Sequence, residues 1–232
     1  MFPIIYEDEY YIIVDKPAKL LVHRTGICQD RIFLLQELRN QLGYHISPVH
    51  RLDRPTSGLI IFAKSKDALT SMSKLFEERE ITKKYLAVVR GWVGDGTINK
   101  ELRKMTDNSG LVGEYNEAIT NYKELKRYEI PFFIDKYPKS RYSLIELHPE
   151  TGRYHQIRRH MKSLSHPLIG DTKYGKSSHN NFFKDTIGLD RLMLIAHYLK
   201  FTHPYTKKEI KLELKDNKDF NHFHSWMNTY II

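Results

Sequence analysis

Apolar positions recur along this chain with two periods, and the longest uninterrupted run lies at its centre. Gly58 to Ala63 (GLIIFA) is apolar throughout and ends at Lys64, where a helical pattern begins, so it reads as a buried strand. Upstream, residues 2 to 6 and 10 to 14 are β-branched and aromatic runs separated by Glu7, Asp8 and Glu9, which predicts an opening hairpin closed by Asp15, Lys16 and Pro17. Leu34, Leu35, Leu38 and Leu42 give a packing helix with Asp30 as its cap and Gly43 as its stop. Ser65 caps a second helix with a Leu69, Met72, Leu75 and Phe76 stripe.

Residues 82 to 90 (TKKYLAVVR) alternate as a strand that Gly91 ends. From Gly94 to Glu117 the chain turns polar and Gly-rich without a clear period and reads as a loop or insertion suited to substrate contacts. Residues 118 to 128 and 140 to 148 resume alternation as a pair of antiparallel strands, with the apolar loop EIPFFIDKYPK between them covering a face of the core. TGRYHQIRRHMK (151 to 162) turns helical after Gly152, which sets His155, Arg158, Arg159 and Lys162 on one basic face. A turn-rich stretch at 165 to 175 has architectural Gly and Asp residues. Then come a strand within 191 to 204, whose Leu192, Leu194 and Ala196 share a side, a strand at 208 to 214, and a terminal helix at 217 to 230 packed by Phe220, Phe223 and Trp226. Hairpins and helices mix without regular βαβ alternation, so the expected class is α+β on a mainly antiparallel sheet, as one domain over 1–232.

Composition narrows the setting. With 232 residues and 41% hydrophobic content the chain can bury a real core. The single Cys28 excludes an intramolecular disulfide, fits a reducing compartment and reads as a small packing residue. The N-terminus lacks a basic start followed by a long apolar stretch, and no run approaches the roughly 18 apolar residues of a membrane span. The expectation is a soluble, cytoplasmic protein with no membrane partner. Lys and Arg number 37 against 28 Asp and Glu, a net charge of +9, which points to a polyanion and so to nucleic acid.

The densest chemistry precedes the central strand, in PVHRLDRPTSG. His50, Arg51, Asp53 and Arg54 crowd ionisable groups together, and Pro55, Thr56, Ser57 and Gly58 supply a turn. Positive neighbours favour the carboxylate form of Asp53, which suits a nucleophile or a general base; the alternative is that Asp53 only ties the turn together. Tyr85, on the 82 to 90 strand, offers a π face on which a base can stack. His155 and His160 are five apart, on different sides of a helix, with no carboxylate or Cys at ligand spacing, so no metal is expected there.

HRLDRPTSG resembles the catalytic signature of the RluA-type pseudouridine synthases, HRLD, two variable residues and TSG, and is most similar to the tRNA-modifying TruC branch. DKPAKLLVHR resembles the first motif of that family, with Asp15 for the usual Asn and Lys19 for the usual Gly, a segment that buttresses the catalytic loop. KKYLAVVRG, TGRYHQIRRH and RLMLIAHYLKFTHP resemble its later motifs; in the last, Ile195 stands where the family has His. The resemblance runs from about Ile5 to Leu214 and implies the pseudouridine synthase fold with a central RNA-binding cleft, without a small basic RNA-binding module ahead of it. It implies Asp53 as the catalytic residue, Tyr85 stacked on the target uracil, Arg158 paired with Asp53, and Arg54 filling the place of the flipped base or holding a phosphate. His50, Arg51, Arg153 and Arg159 complete the expected RNA-binding set. No cofactor or metal is expected. The implied partner is RNA, foremost tRNA at uridine 65, met by a monomer. A ribosomal RNA uridine is the enzyme alternative, and a catalytically idle RNA-binding protein the alternative of another class.

Overall fold

The computed structural model describes residues 1–24, 30–106, 110–215 and 217–230, with backbone alone for 105, 106 and 110–112. In chain order its elements are β1 (Ile4–Glu7), β2 (Tyr11–Lys16), α1 (Leu34–Leu42), β3 (Ser47–Pro48), β4 (Ser57–Ala63), α2 (Lys66–Glu77), β5 (Thr82–Arg90), β6 (Gly96–Asn99), β7 (Leu102–Thr106), β8 (Gly110–Asn116), β9 (Ile119–Ile130), β10 (Ser140–Pro149), α3 (Gln156–Ser163), α4 (Ser177–Ile187), β11 (Leu194–Thr202), β12 (Glu209–Glu213) and α5 (Lys218–Met227). The α+β expectation holds. Within the units described below, every strand pair is antiparallel except β4 with β11. No helix among the described residues is long and apolar enough to cross a membrane, and Cys28 lies outside the described residues.

The chain divides into two compact units, Met1–Lys83 with Ile195–Leu214 and Lys84–Leu194 with Lys215–Ile232. In the first, β4 is buried at all seven positions, as its unbroken apolar run requires. β2 flanks it antiparallel from Tyr11↔Ala63 to Lys16↔Gly58, and β11 flanks it parallel through Ile195↔Ser57 and Ala196↔Gly58. The core joins Ile13, Leu59, Ile61, Ala68, Met72, Leu199 and Phe201. The opening hairpin forms as expected, and α2 starts at Ser65, whose side chain accepts the Ala68 N–H at 3.1 Å.

The cap of α1 differs from expectation. Its N-cap is Phe33, and the Leu34 and Leu35 N–H groups donate at 2.9 Å to the carbonyls of Leu21 and Val22. Those distant carbonyls satisfy the orphan donors, and Asp30 pairs with Arg54 instead. Gly43 ends the helix in the left-handed region as expected.

In the second unit β5, β10, β9 and β6 form an antiparallel run, and β7 pairs with β8 as a separate ribbon. The 94–117 stretch is therefore mostly strand rather than loop. Ile98 is buried where β6 pairs with β9, an anchor too short for alternation to reveal. The 129–139 loop does not blanket the core: Phe133 and Tyr137 are exposed, and Phe132 alone meets the Phe182 and Trp226 rings, at 5.2 and 6.3 Å. β11 starts at Leu194, so Leu192 precedes it, and Leu194, Ile195, Ala196 and His197 are all buried. The 165–175 turn is laced to β5, with Ile169 N–H donating to Val88 O and Met193 N–H to Ile169 O, both at 2.9 Å.

Candidate functional site

The residues singled out in the sequence fall into one group in each unit. In the first unit the chain enters β4 through a turn closed by Thr56 N–H donating to the Asp53 carbonyl at 3.0 Å. Asp53 is half-buried at its start, Leu52 is buried behind it, and Arg51 is exposed. Lys16 fixes this turn from within. Its side chain is fully buried at the end of β2, and its ammonium donates to the carbonyls of Pro17 (2.8 Å), Leu20 (2.7 Å) and Arg54 (3.2 Å). A buried ammonium needs such acceptors, and here one of them belongs to the turn itself.

Arg54 turns its guanidinium onto Asp30 Oδ1 at 2.9 Å and the Lys19 carbonyl at 3.3 Å, while remaining more than half exposed. Its charge is thus directed to Asp30 by a charge-assisted hydrogen bond. His50 sits inward: its Nε2 accepts the Ile61 N–H at 3.1 Å, completing the edge of β4, and its ring lies 4.8 Å from Phe76. Burial, helped by the Lys83 charge, holds its pKa down at about 3, so it is a neutral acceptor.

In the second unit Tyr85 lies on β5 opposite Leu147 of β10, half-buried against the core formed by Ala87, Ile145 and Leu147. α3 begins after His155, which takes the left-handed conformation at φ 52°. The expected single basic face is not what forms. Arg158 turns inward, 4% exposed, and meets Asp171 in a fork, Nε to Oδ2 at 2.8 Å and Nη2 to Oδ1 at 2.9 Å. Burial pushes the Asp171 carboxyl up, but the Arg158 fork and the backbone N–H groups of Tyr174 and Lys173 outweigh it and hold the pKa below the usual carboxylate value.

His155 precedes the helix instead of lining it. Its ring stacks on Tyr154 at 3.8 Å, its Nδ1 bonds Tyr174 Oη at 3.0 Å, and burial with the nearby Arg158 and Lys173 charges keeps its pKa near 3. His160 is fully buried, bonded to Thr120 Oγ1 at 2.9 Å and to the Lys100 carbonyl at 3.0 Å. No group of three His, Cys, Asp or Glu side chains among the described residues is placed to hold a metal ion.

Arg153 and Arg159 keep cationic ends toward solvent. Arg153 Nε donates to the Glu117 carbonyl at 2.9 Å and Arg159 Nη1 to the Arg103 carbonyl at 3.0 Å, so both are held by neutral acceptors. The buttressing expected of the DKP segment falls on Lys16, whose ammonium reaches the Arg54 carbonyl. The pairing of Asp171 with Arg158, 13 positions away, is one that the motif spacing does not reveal.

The sequence model described as RNA pseudouridylate synthase matches residues 10–163, more than half of the chain. A tRNA pseudouridine synthase C of Vibrio vulnificus is 43% identical over 225 residues, covering 94% of this chain and 92% of that protein. One of Pasteurella multocida is 44% identical over 218 residues, covering 90% and 89%. The solved human RNA pseudouridylate synthase domain containing 1 superposes with a TM-score of 0.73 at 27% identity, covering 93% of this chain and 84% of that one. The motif around Asp53, the strand arrangement and these likenesses agree: the chain belongs to the RNA pseudouridylate synthase family, of the RluA type.

Proposed function

We propose that this protein is a tRNA pseudouridine synthase that isomerises a uridine on the T-stem side, at position 65, with residues 1–232 acting as one catalytic domain. The observation that carries this reading is the identity of 43% with a tRNA pseudouridine synthase C along almost the whole of both chains. The net charge of +9 suits a polyanionic substrate.

Isomerisation breaks the bond from C1′ to N1 and joins C1′ to C5; C5 loses a proton and N1 gains one, so the balance needs no oxidant, reductant or co-substrate. The uracil must leave the stack and turn over while held, and extruding it costs a few kcal/mol that stacking and phosphate contacts offset. In this reading Asp53 initiates the reaction as nucleophile or base, at the head of a turn that Lys16 fixes. Tyr85 stacks on the uracil. Arg158 is assigned the role of orienting the Asp53 carboxylate. Arg54 exchanges Asp30 for a phosphate or fills the space of the flipped base, Arg51, Arg153 and Arg159 contact the backbone, and His50 supports the turn. The protein acts in the cytoplasm as a monomer.

The test is incubation with unmodified tRNA and, separately, ribosomal RNA fragments, followed by carbodiimide labelling and primer extension, because an isomerisation leaves mass unchanged. A stop at tRNA position 65 is the expected result. Stops in ribosomal RNA alone would overturn the tRNA assignment and keep the chemistry; RNA binding with no stop anywhere would overturn the enzyme.

A further inference from the structure

A buried ion pair is an expensive way to join two elements, since taking two charges out of water costs several kcal/mol per ion and a packed apolar pair often holds as well. Arg158 and Asp171 nevertheless form one, with side chains 5% and 0% exposed. The surroundings are shaped to aim it. Gly170 takes φ +75°, and a Cβ there would overlap the Arg191 carbonyl, so the turn passes where only glycine fits. Asn180 accepts the Gly170 N–H at 2.8 Å and donates to the Asp171 carbonyl at 3.0 Å. The N–H groups of Lys173 and Tyr174 donate to Oδ1 at 2.9 and 3.0 Å, and the Arg158 guanidinium lies 5.1 Å from the centre of the Tyr174 ring. The carboxylate is thus immobilised from its own loop, and its two oxygens fix the guanidinium plane.

We propose that Asp171 is a positioning residue for the reaction: by holding Nε and Nη2 of Arg158 it fixes the plane and rotation of that guanidinium. This rests on the reading of Arg158 as the residue that orients Asp53. A bidentate fork defines both the plane and the rotation of a guanidinium, which a single hydrogen bond does not. The Gly170–Gly175 turn then serves catalysis through Arg158.

The test uses the full chain, single-turnover conversion of unmodified tRNA and a separate tRNA binding measurement. Asp171→Asn keeps the shape and an acceptor for the backbone N–H groups but loses the charge. Its rate is expected to fall about 10²-fold, the scale of a misplaced catalytic group, with tRNA Kd changed by less than about twofold, as for an interaction made only in the transition state. Combined with Arg158→Lys it should add less than about threefold, because the two residues act as a unit.

A folded Asp171→Asn protein with full rate, or losses that multiply, would overturn the proposal. If Asp171→Asn fails to fold, Asp171→Glu is measured, whose longer carboxylate displaces the guanidinium: a folded protein with a reduced rate supports the proposal and a full rate overturns it. The paired variant Arg158→Met with Asp171→Leu removes both charges and separates the two ideas. Activity retained there sinks the reading of Arg158 itself, whereas activity lost there but intact in Asp171→Asn sinks Asp171 alone.

Discussion

Gly58 of β4 lies against Ala196 of β11 so closely that a Cβ on it would overlap the Ala196 carbonyl and stand 2.6 Å from its amide nitrogen, and its φ is +112°. The parallel join between these strands and the exit from the Asp53 turn therefore depend on the same missing side chain. Gly58→Ala should destabilise by about 2–5 kcal/mol, from backbone strain together with overpacking, and lower activity with it. Urea unfolding followed by circular dichroism measures this; a change under about 0.5 kcal/mol, the range of ordinary surface substitutions, would show that β11 moves away at no cost.

Lys16 offers a second test, because its ammonium is fully buried and reaches the Arg54 carbonyl. Lys16→Met keeps the stem and strands the carbonyls of Pro17, Leu20 and Arg54. The expected loss is about 2–4 kcal/mol, on the scale of charged hydrogen bonds and stranded acceptors, with a pseudouridylation rate that falls further than RNA affinity. Equal losses in rate and affinity would argue against a link to the turn.

The central strand, its hairpin and the Ser65-capped helix were legible because local signals decide them: an unbroken apolar run, paired alternation, and a capping side chain three residues from its N–H. The rest depended on distant partners. α1 is capped by Leu21 and Val22, so Asp30 was a reasonable but wrong cap. The helical spacing of Arg158 and Arg159 was right, yet Asp171 draws the first inside and leaves the second outside, a division that periodicity does not encode. α4 escaped notice because only His179 and Phe183 of SSHNNFFKDTI are buried, four apart, too sparse a stripe to register. β7 and β8 carry a period broken by Arg103, Lys104 and Gly113. The family resemblance of the motif around Asp53 was readable, since its residues are contiguous.

Acid should weaken the fold before the carboxylates titrate. His50 and His155 have pKa values lowered by burial from 6.5 to about 3, and His179 to about 4. The unfolded chain takes up these protons more readily than the folded one, so their stabilisation is complete above pH 6.5 and is lost progressively as pH falls from 6.5 toward 3. Urea midpoints measured from pH 7 to 4 should decline, and His50→Gln, whose amide oxygen can still accept the Ile61 N–H, should show a shallower decline. An unchanged slope would mean that His50 is protonated in the folded state.

Asp53→Asn separates chemistry from recognition. Substituting the amide leaves in place the Asp53 carbonyl that accepts the Thr56 N–H at 3.0 Å. The rate should fall by at least about 10²–10⁴-fold, the range for loss of a positioned acid or base, with tRNA affinity retained. Conversion at the wild-type rate would remove Asp53 from the reaction.

The surface arginines make a prediction about salt. Arg153 and Arg159 are anchored by the Glu117 and Arg103 carbonyls, with no ion pair to a carboxylate among the described residues. A carbonyl holds a guanidinium in place without neutralising it, so each should displace counterions when a phosphate arrives. Replacing both by Gln should weaken tRNA binding and reduce the slope of log K against log salt by about 1–2 in magnitude, at roughly 0.7–0.9 per phosphate contact. Titrations at several salt concentrations test this. Weaker binding with an unchanged slope would mean that the two residues shape the β7–β8 ribbon, through the Arg103 carbonyl, and do not touch phosphate.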